Sequence, residues 1–139
     1  MICAEDTVYA PQAALATTEH SLGKPHASVT LLEYGDYECP ACIRAEPLRR
    51  GLIAAFSPRL RFVFRHYPLV ELHANAELAA DAAEAAAAQG QFWPMHALLL
   101  SEVRKLTLPV LTAYAESIEL DMIRFNGEMA DRIYTQRVQ

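Results

Sequence analysis

The fold is decided by the stretch VTLLEYGDYECPAC, residues 29–42. Its first part is a continuous apolar run that ends at Gly35, which predicts a strand buried on both faces of a parallel sheet. A helix-period stretch begins at Ile43 and predicts a helix from Cys39 to about Phe56. The two cysteines at 39 and 42 therefore lie where a strand and a turn lead into a helix.

This placement gives the cysteine pair the properties of a redox centre. Cys39 can act as the N-cap, where unpaired backbone N–H groups and the helix dipole favour a thiolate. Cys42, one turn later, is expected to point inward on the same face. Pro40 fits the first helical position, and the small Ala41 crowds neither sulfur. We expect the pair to close reversibly into a small disulfide ring.

A Cys-x-x-Cys pair can also be half of a zinc site, but such sites usually need a second cysteine or histidine pair at similar spacing. The sequence has no second pair, and His66, His73 and His96 are isolated from one another. A tetrahedral site would require the fold to bring two of them to the cysteines. We therefore favour redox chemistry, with no metal and no cofactor, over a zinc site or two structural thiols.

Composition indicates one soluble globular domain, with 139 residues of which 53% are hydrophobic and 21% charged. The net charge of −5 argues against a nucleic-acid or anionic-membrane partner. No apolar run of 18 residues predicts a membrane span. No leader is visible at Met1, which favours the cytoplasm, or an extracytoplasmic location if a leader was removed. Cys3, near the terminus, is interpreted as a free thiol.

Residues 1–19 are interpreted as an N-terminal arm, and residues 20–139 as the ordered domain. The region before residue 29 is expected to contain one short strand. Residues 60–67 alternate apolar and basic side chains and predict a second long strand that stops at Pro68. Strand, helix and strand in this order imply a right-handed parallel unit. Pro47 falls inside the predicted helix and should bend or break it.

Four further helices are predicted after the second long strand. They cover residues 74–88, 92–105, 107–118 and a last segment that begins after Asp121. The first is dominated by alanine, with Glu77, Asp81 and Glu84 on its polar side. Thr107 and Asp121 are expected N-caps. The core candidates are Trp93, Met95, Leu98, Leu99 and Val103. The last helix runs through Ile123, Phe125, Met129 and Ile133, and its Phe and Met positions are also interpreted as packing residues.

Three motifs together carry a family resemblance: EYGDYECPAC at 33–42, FVFRHYPL at 62–69 and QFWPMH at 91–96. The sequence resembles the DsbA-like branch of the thioredoxin-fold disulfide oxidoreductases from about His20 to Val138. The resemblance implies an α/β thioredoxin-like fold with a helical insertion at about 74–134. Similar domains occur as free enzymes and appended to bacterial membrane transporters such as sodium/proton antiporters.

The resemblance also implies roles for individual residues. Cys39 matches the exposed nucleophile, Cys42 the buried resolving cysteine, and Pro40 with Ala41 the dipeptide that tunes the redox poise. Glu33 matches a buried acid whose pKa is raised by an apolar strand and which exchanges a proton with Cys42. An ordinary, exposed acid at the sheet edge is the alternative. The implied partners are protein thiols or disulfides and a redox partner protein.

The sequence departs from the family because it ends before the segment that carries a cis-proline loop, two more strands and a final helix. We therefore expect the C-terminal strands and helix to be missing and the activity of the chain to be in doubt. The central strand edge would be exposed, which favours a homo-oligomer or an N-terminal arm folded over it.

The alternative functions are a truncated binding or assembly module, metal-bridged through the cysteine pair, and a domain appended to a transporter. A glutathione-conjugating or isomerase relative is a weaker alternative, because such proteins usually replace the second cysteine.

Overall fold

The computed structural model describes residues 19–139. It consists of three strands and six helices, in the order β1 His20–Leu22, β2 Val29–Gly35, α1 Pro40–Phe56, β3 Leu60–His66, α2 Ala76–Ala87, α3 Phe92–Leu99, α4 Leu108–Ser117, α5 Met122–Asp131 and α6 Thr135–Val138. The predicted mixed α/β class is confirmed. No helix among the described residues is long and apolar enough to span a membrane. Cys3 and most of the proposed N-terminal arm lie outside the described residues.

The sheet has the strand order β1-β3-β2. β2 pairs with β3 in parallel, with Val29 opposite Leu60 and Gly35 opposite His66, so the predicted parallel strand–helix–strand unit is confirmed. β1 is the expected short strand, and it pairs antiparallel with the other side of β3. The prediction that β2 is buried on both faces is wrong. Val29 and Tyr34 are about half exposed, because β2 lies at the edge of the described sheet.

Helix α1 continues through Pro47, so the predicted break does not occur. Pro47 is exposed, while Cys42, Ile43 and Glu46 before it and Arg49 after it are buried. The buried side chains on both sides of the proline belong to one packed face. Tertiary packing of that face keeps the helix continuous despite the hydrogen bond that proline removes.

Helix α2 is buried almost all around, with seven of its alanines in the interior: Ala76, Ala79, Ala80, Ala82, Ala83, Ala85 and Ala86. Small side chains permit this because neighbouring backbones can approach closely, and α2 contacts α3, α4, α5 and α6. The predicted polar side is wrong for Asp81 and Glu84, which are both buried. Glu84 has polar partners that compensate for burial. Asp81 Oδ2 accepts hydrogen bonds from Arg132 and Thr135, while its buried Oδ1 has no partner among the described residues.

The C-terminal helices match the predicted caps better than the predicted core. Thr107 is the N-cap of α4, and the Asp121 carboxylate accepts a hydrogen bond from Arg124 N at 3.1 Å as the N-cap of α5. α3 ends at Leu99, short of the predicted 105, and α6 was not predicted. One expected core residue, Val103, is exposed, and so are Ile123 and Ile133 of the last predicted helix. Met95, Leu99, Phe125 and Met129 are buried as expected.

Gly35 ends β2 where the ring of Phe64 leaves no space for a side chain. A Cβ at Gly35 would overlap the Phe64 ring, with Cζ at 2.9 Å. We expect Gly35→Ala to lower the free energy of unfolding by about 1–3 kcal/mol because the packed ring has to move. The measurement is urea denaturation followed by circular dichroism.

Gly51 is the matched control, because it lies in the exposed part of α1 and a Cβ there meets nothing within 4 Å. Gly51→Ala should raise the free energy of unfolding by roughly 0.5–1 kcal/mol through helix propensity. Equal effects of the two substitutions would contradict the close contact between Gly35 and Phe64.

Candidate active site

The two cysteines lie at the start of α1, as predicted. Cys39 is the N-cap residue, with extended backbone angles of φ −75° and ψ 116°, and its carbonyl accepts the first helical hydrogen bond from Ile43 N at 3.1 Å. Pro40 is the first helical residue, where its missing N–H removes no helical hydrogen bond. Cys42 lies one turn along on the buried face of the helix. The dipole of a 17-residue helix therefore acts at Cys39.

Both cysteines are largely covered, with 4% of the surface of each residue exposed. The expectation that Cys39 is an exposed nucleophile is wrong, whereas burial of Cys42 was expected. The cause lies in the preceding turn, where Asp36 and Tyr37 are themselves buried and bring Cys39 into the interior. Pro40, the next residue, is exposed. Cys39 thus lies directly beneath the protein surface.

A buried carboxylate fixes the turn between β2 and α1. Asp36 Oδ1 accepts a hydrogen bond from Glu38 N at 2.7 Å, and Asp36 Oδ2 accepts from Leu69 N at 2.8 Å. His73 Nδ1 lies 2.8 Å from the same Oδ2. The carbonyl of Asp36 accepts from Cys39 N at 3.2 Å. Asp36 therefore links the backbone before Cys39 to the segment that follows β3.

Glu38 makes a second set of links from the residue beside Cys39. Its Oε2 accepts a hydrogen bond from Asn75 N at 2.9 Å, and its Oε1 accepts from Asn75 Nδ2 at 3.0 Å and from Leu106 N at 2.8 Å. These contacts join the turn to the beginning of α2 and to the residues before α4. The position of Cys39 is consequently set by three distant parts of the chain.

Glu33 lies in an ionic network rather than in the apolar enclosure that we expected. Its side chain is 23% exposed, and its two oxygens accept hydrogen bonds from Arg49 Nε and Nη2. Arg49 is buried and also pairs with Glu46. Arg49 Nη2 lies 3.4 Å from the carbonyl oxygen of Cys42. The guanidinium thus connects Glu33 to the helical turn that carries Cys42.

Tyr37 and His96 form a buried hydrogen bond next to the cysteine turn, with 2.9 Å between Tyr37 Oη and His96 Nδ1. Burial raises the pKa of Tyr37 well above its ordinary value, so the hydroxyl keeps its proton and donates it. The pKa of His96 is lowered to about 3, mainly by burial and secondly by the positive charge of the nearby Arg49. His96 is therefore neutral at physiological pH and accepts at Nδ1.

A second polar cluster lies on the far side of β3 from β2. Glu84 Oε1 lies 2.5 Å from His20 Nε2 and 2.9 Å from His66 Nε2, and Glu84 Oε2 lies 2.9 Å from Arg137 Nε. Burial acts to raise the pKa of Glu84, but hydrogen bonds and charge interactions with the two histidines outweigh it and lower the pKa to about 2. The carboxylate is charged, and the cluster joins β1, β3, α2 and α6.

Several of these residues were missed by the sequence reasoning. For Arg49 a signal existed, because it lies seven residues after Cys42 and hence on the same helical face. No comparable signal marked Asp36, Glu38 and Glu84, which are polar residues next to, or within, buried segments. Their partners lie 18 to 68 residues away, apart from one contact between Asp36 and Glu38.

The buried neutral imidazole predicts an acid-sensitive stability. Between pH 6.5, the ordinary His pKa, and the folded pKa of about 3, the unfolded chain binds a proton at His96 that the folded chain does not. The stability associated with this group is therefore complete above about pH 6.5 and is lost as the pH falls toward 3. We expect His96→Gln to flatten this part of the pH profile of unfolding free energy, by on the order of a few kcal/mol.

Glutamine can still accept the Tyr37 hydroxyl hydrogen bond but does not titrate. His26→Gln is the control, because His26 is exposed in the loop between β1 and β2, and the wild-type profile should persist in it. A profile that is unchanged in His96→Gln would contradict a buried neutral imidazole.

Comparisons with known proteins agree with this geometry. The sequence model of the family described as Thioredoxin matches residues 15–139. A thioredoxin-like oxidoreductase from Silicibacter pomeroyi superposes with a TM-score of 0.74 at 32% identity, over 83% of this chain and 65% of that one. The thiol-disulfide exchange protein alpha-DsbA2 from Wolbachia pipientis superposes with a TM-score of 0.76 at 21% identity, over 88% and 65% of the two chains.

A Na⁺/H⁺ antiporter from Salinispora arenicola is 48% identical over 114 residues, which are 82% of this chain but 17% of the antiporter. The chain thus spans less than a fifth of the length of that relative and about two thirds of the two solved structures. The family match, the superpositions and the cysteine pair at the start of α1 agree: the chain belongs to the thioredoxin family, and its thioredoxin-like fold is similar to that of the DsbA structure.

Proposed function

We propose that this chain exchanges disulfides with protein thiols through Cys39 and Cys42. The observation that carries the proposal is the position of Cys39 as the N-cap of α1, with Cys42 one turn behind it on the buried face. An N-cap position supplies unpaired backbone N–H groups and the positive end of the helix dipole to one sulfur only. The two cysteines are thereby made chemically unequal, as an attacking and a resolving thiol must be.

The exchange requires two steps. The Cys39 thiolate attacks a substrate disulfide, forms a mixed disulfide and releases one substrate thiolate. The Cys42 thiolate then attacks Cys39 Sγ, closes the Cys39–Cys42 disulfide and releases the second substrate thiolate, so the substrate gains two electrons and the pair loses two. Running in reverse, the same steps donate a disulfide to two substrate thiols.

Glu33 is the proposed proton partner of Cys42. The support is the shared contact of Arg49, whose Nη2 lies 2.5 Å from Glu33 Oε1 and 3.4 Å from the Cys42 carbonyl. A carboxylate close to this turn can accept the Cys42 thiol proton during resolution. Arg49 then acts as a positioning residue, because it holds the Glu33 carboxylate against the helix.

Substitution of each cysteine separates the two roles. In a Cys3→Ser background, Cys39→Ser should abolish exchange with a peptide disulfide. Cys42→Ser should instead accumulate a mixed disulfide at Cys39, since the resolving step is lost. The measurement is iodoacetamide trapping across a redox titration, followed by mass spectrometry.

The Cys3→Ser parent is the control and should retain full exchange, with both thiols oxidised together in one two-electron step. Alkylation of the unfolded protein in urea gives the reactivity of an uncovered thiol. A Cys39 that fails to react in the folded parent, together with a metal ion retained by the pair, would support a binding or assembly module instead.

The reduction potential of the Cys39–Cys42 pair determines whether it donates or accepts disulfides. Helix-dipole and N–H interactions stabilise the Cys39 thiolate by roughly 0.3–1 kcal/mol each in exposed settings, and stabilising the reduced form makes the disulfide more oxidising. A proline between the two cysteines, as at Pro40, resembles the more oxidising members of the family. We expect the reduction potential, measured against glutathione, to be less negative than about −200 mV. A value near that of a general reductant, about −270 mV, would contradict disulfide donation.

A domain joined to a membrane transporter is the second candidate, and it is favoured by the 48% identity to the Salinispora arenicola antiporter. In this case the same thiol chemistry would act beside a transport protein. Immunoblotting of source cells with an antibody against residues 19–139 tests this. A membrane-bound product far larger than 15.5 kDa would support the candidate, and a product of about that mass would contradict it.

A further inference from the structure

The His20–His66–Glu84 cluster has the composition of a metal site and shares no residue with the cysteine pair. His20 is opposite Phe64 in the antiparallel pairing of β1 with β3, so His66 is its diagonal neighbour on the same face of the sheet. Glu84 extends toward both histidines from α2, so the three residues come from three different elements.

The three side chains converge within ligand distance. His20 Nε2, His66 Nε2 and a Glu84 oxygen all lie within 4.8 Å of one another, and among residues 19–139 this is the one set of three His, Cys, Asp or Glu side chains that meets this criterion. Their side chains are 15%, 6% and 2% exposed. A site formed from such covered side chains loses little conformational entropy when it binds an ion.

We propose that His20, His66 and Glu84 bind a divalent transition-metal ion, for which zinc is the best match. Two imidazole nitrogens and one carboxylate oxygen are a common zinc ligand set, with the fourth position left to water. A surface cavity of about 410 Å³ borders His20 and Glu84 and provides room for that water. Arg137, which also lines the cavity, holds Glu84 Oε2 and leaves Oε1 for the metal.

Metal binding replaces the hydrogen bonds that the cluster makes without the ion. Both Nε2 atoms must lose their protons to become ligands, and each neutral imidazole then carries its proton on Nδ1. Nδ1 of His66 is buried with no hydrogen-bond partner among the described residues, so no contact described there opposes this tautomer. Ligand atoms around tetrahedral zinc are roughly 3.3 Å apart, so His20 and His66 must withdraw from Glu84 by less than 1 Å.

The test uses the full chain with all three cysteines changed to serine, which removes thiolate ligands and makes the result independent of the proposed thiol exchange. Equilibrium dialysis with ZnCl₂ should give one tightly bound ion per chain. Co²⁺ should produce the visible bands of a tetrahedral site without a thiolate charge-transfer band. His20→Gln, at the rim of the cluster, should weaken zinc binding at least about 10-fold, as should Glu84→Gln.

His26→Gln is the matched control, because it removes an exposed histidine outside the cluster and should leave zinc affinity unchanged. Circular dichroism establishes that each variant is folded, and zinc should raise the melting temperature of the parent and of His26→Gln but not of His20→Gln. Zinc binding that is absent from the parent, or equally strong in folded His20→Gln, would overturn the proposal.

Discussion

The buried carboxylate of Asp36 holds the turn on which the candidate redox site depends. Its two oxygens bind the backbone N–H groups of Glu38 and Leu69 and the ring of His73. A charged group buried in this way is tolerated only when such donors satisfy it. Because the same turn determines where α1 begins, it also determines which residue occupies the N-cap position, next to the unpaired backbone N–H groups of the first helical turn. The thiolate chemistry proposed for Cys39 thus depends on a turn that holds Cys39 through its backbone N–H, which donates to the Asp36 carbonyl.

The parts of this fold that were predicted correctly depend on near neighbours in sequence. Cys39, Thr107 and Asp121 were recognised as caps because a cap is defined by the residues that come after it within one turn. The pairing of β2 with β3 was predicted from the order of strand, helix and strand. The fold was identified from three short sequence motifs taken together. Neither residue propensity nor hydrophobic periodicity would have identified it.

The errors arose where distant segments decide the environment. Glu84 was assigned to a polar helical face, but its partner His20 lies 64 residues earlier and makes burial acceptable. Glu33 was assigned an apolar surrounding because its sequence neighbours are leucine and tyrosine, whereas its actual neighbour is Arg49 on the packed helix. Cys39 was expected at the surface, and the burial of Tyr37 before it brings it inside. Hydrophobic periodicity predicts which side of a helix or strand faces inward, but it does not identify the segment that packs against that side.

Helix α2 is enclosed by other elements on nearly every side and is built from the smallest side chains. Its alanines set the separation between α3 and the C-terminal helices α5 and α6, because contact is made at the level of the backbone. A larger side chain at any of these alanines would therefore push the neighbouring helices apart, so residues that take no part in the chemistry still determine how the helices are spaced.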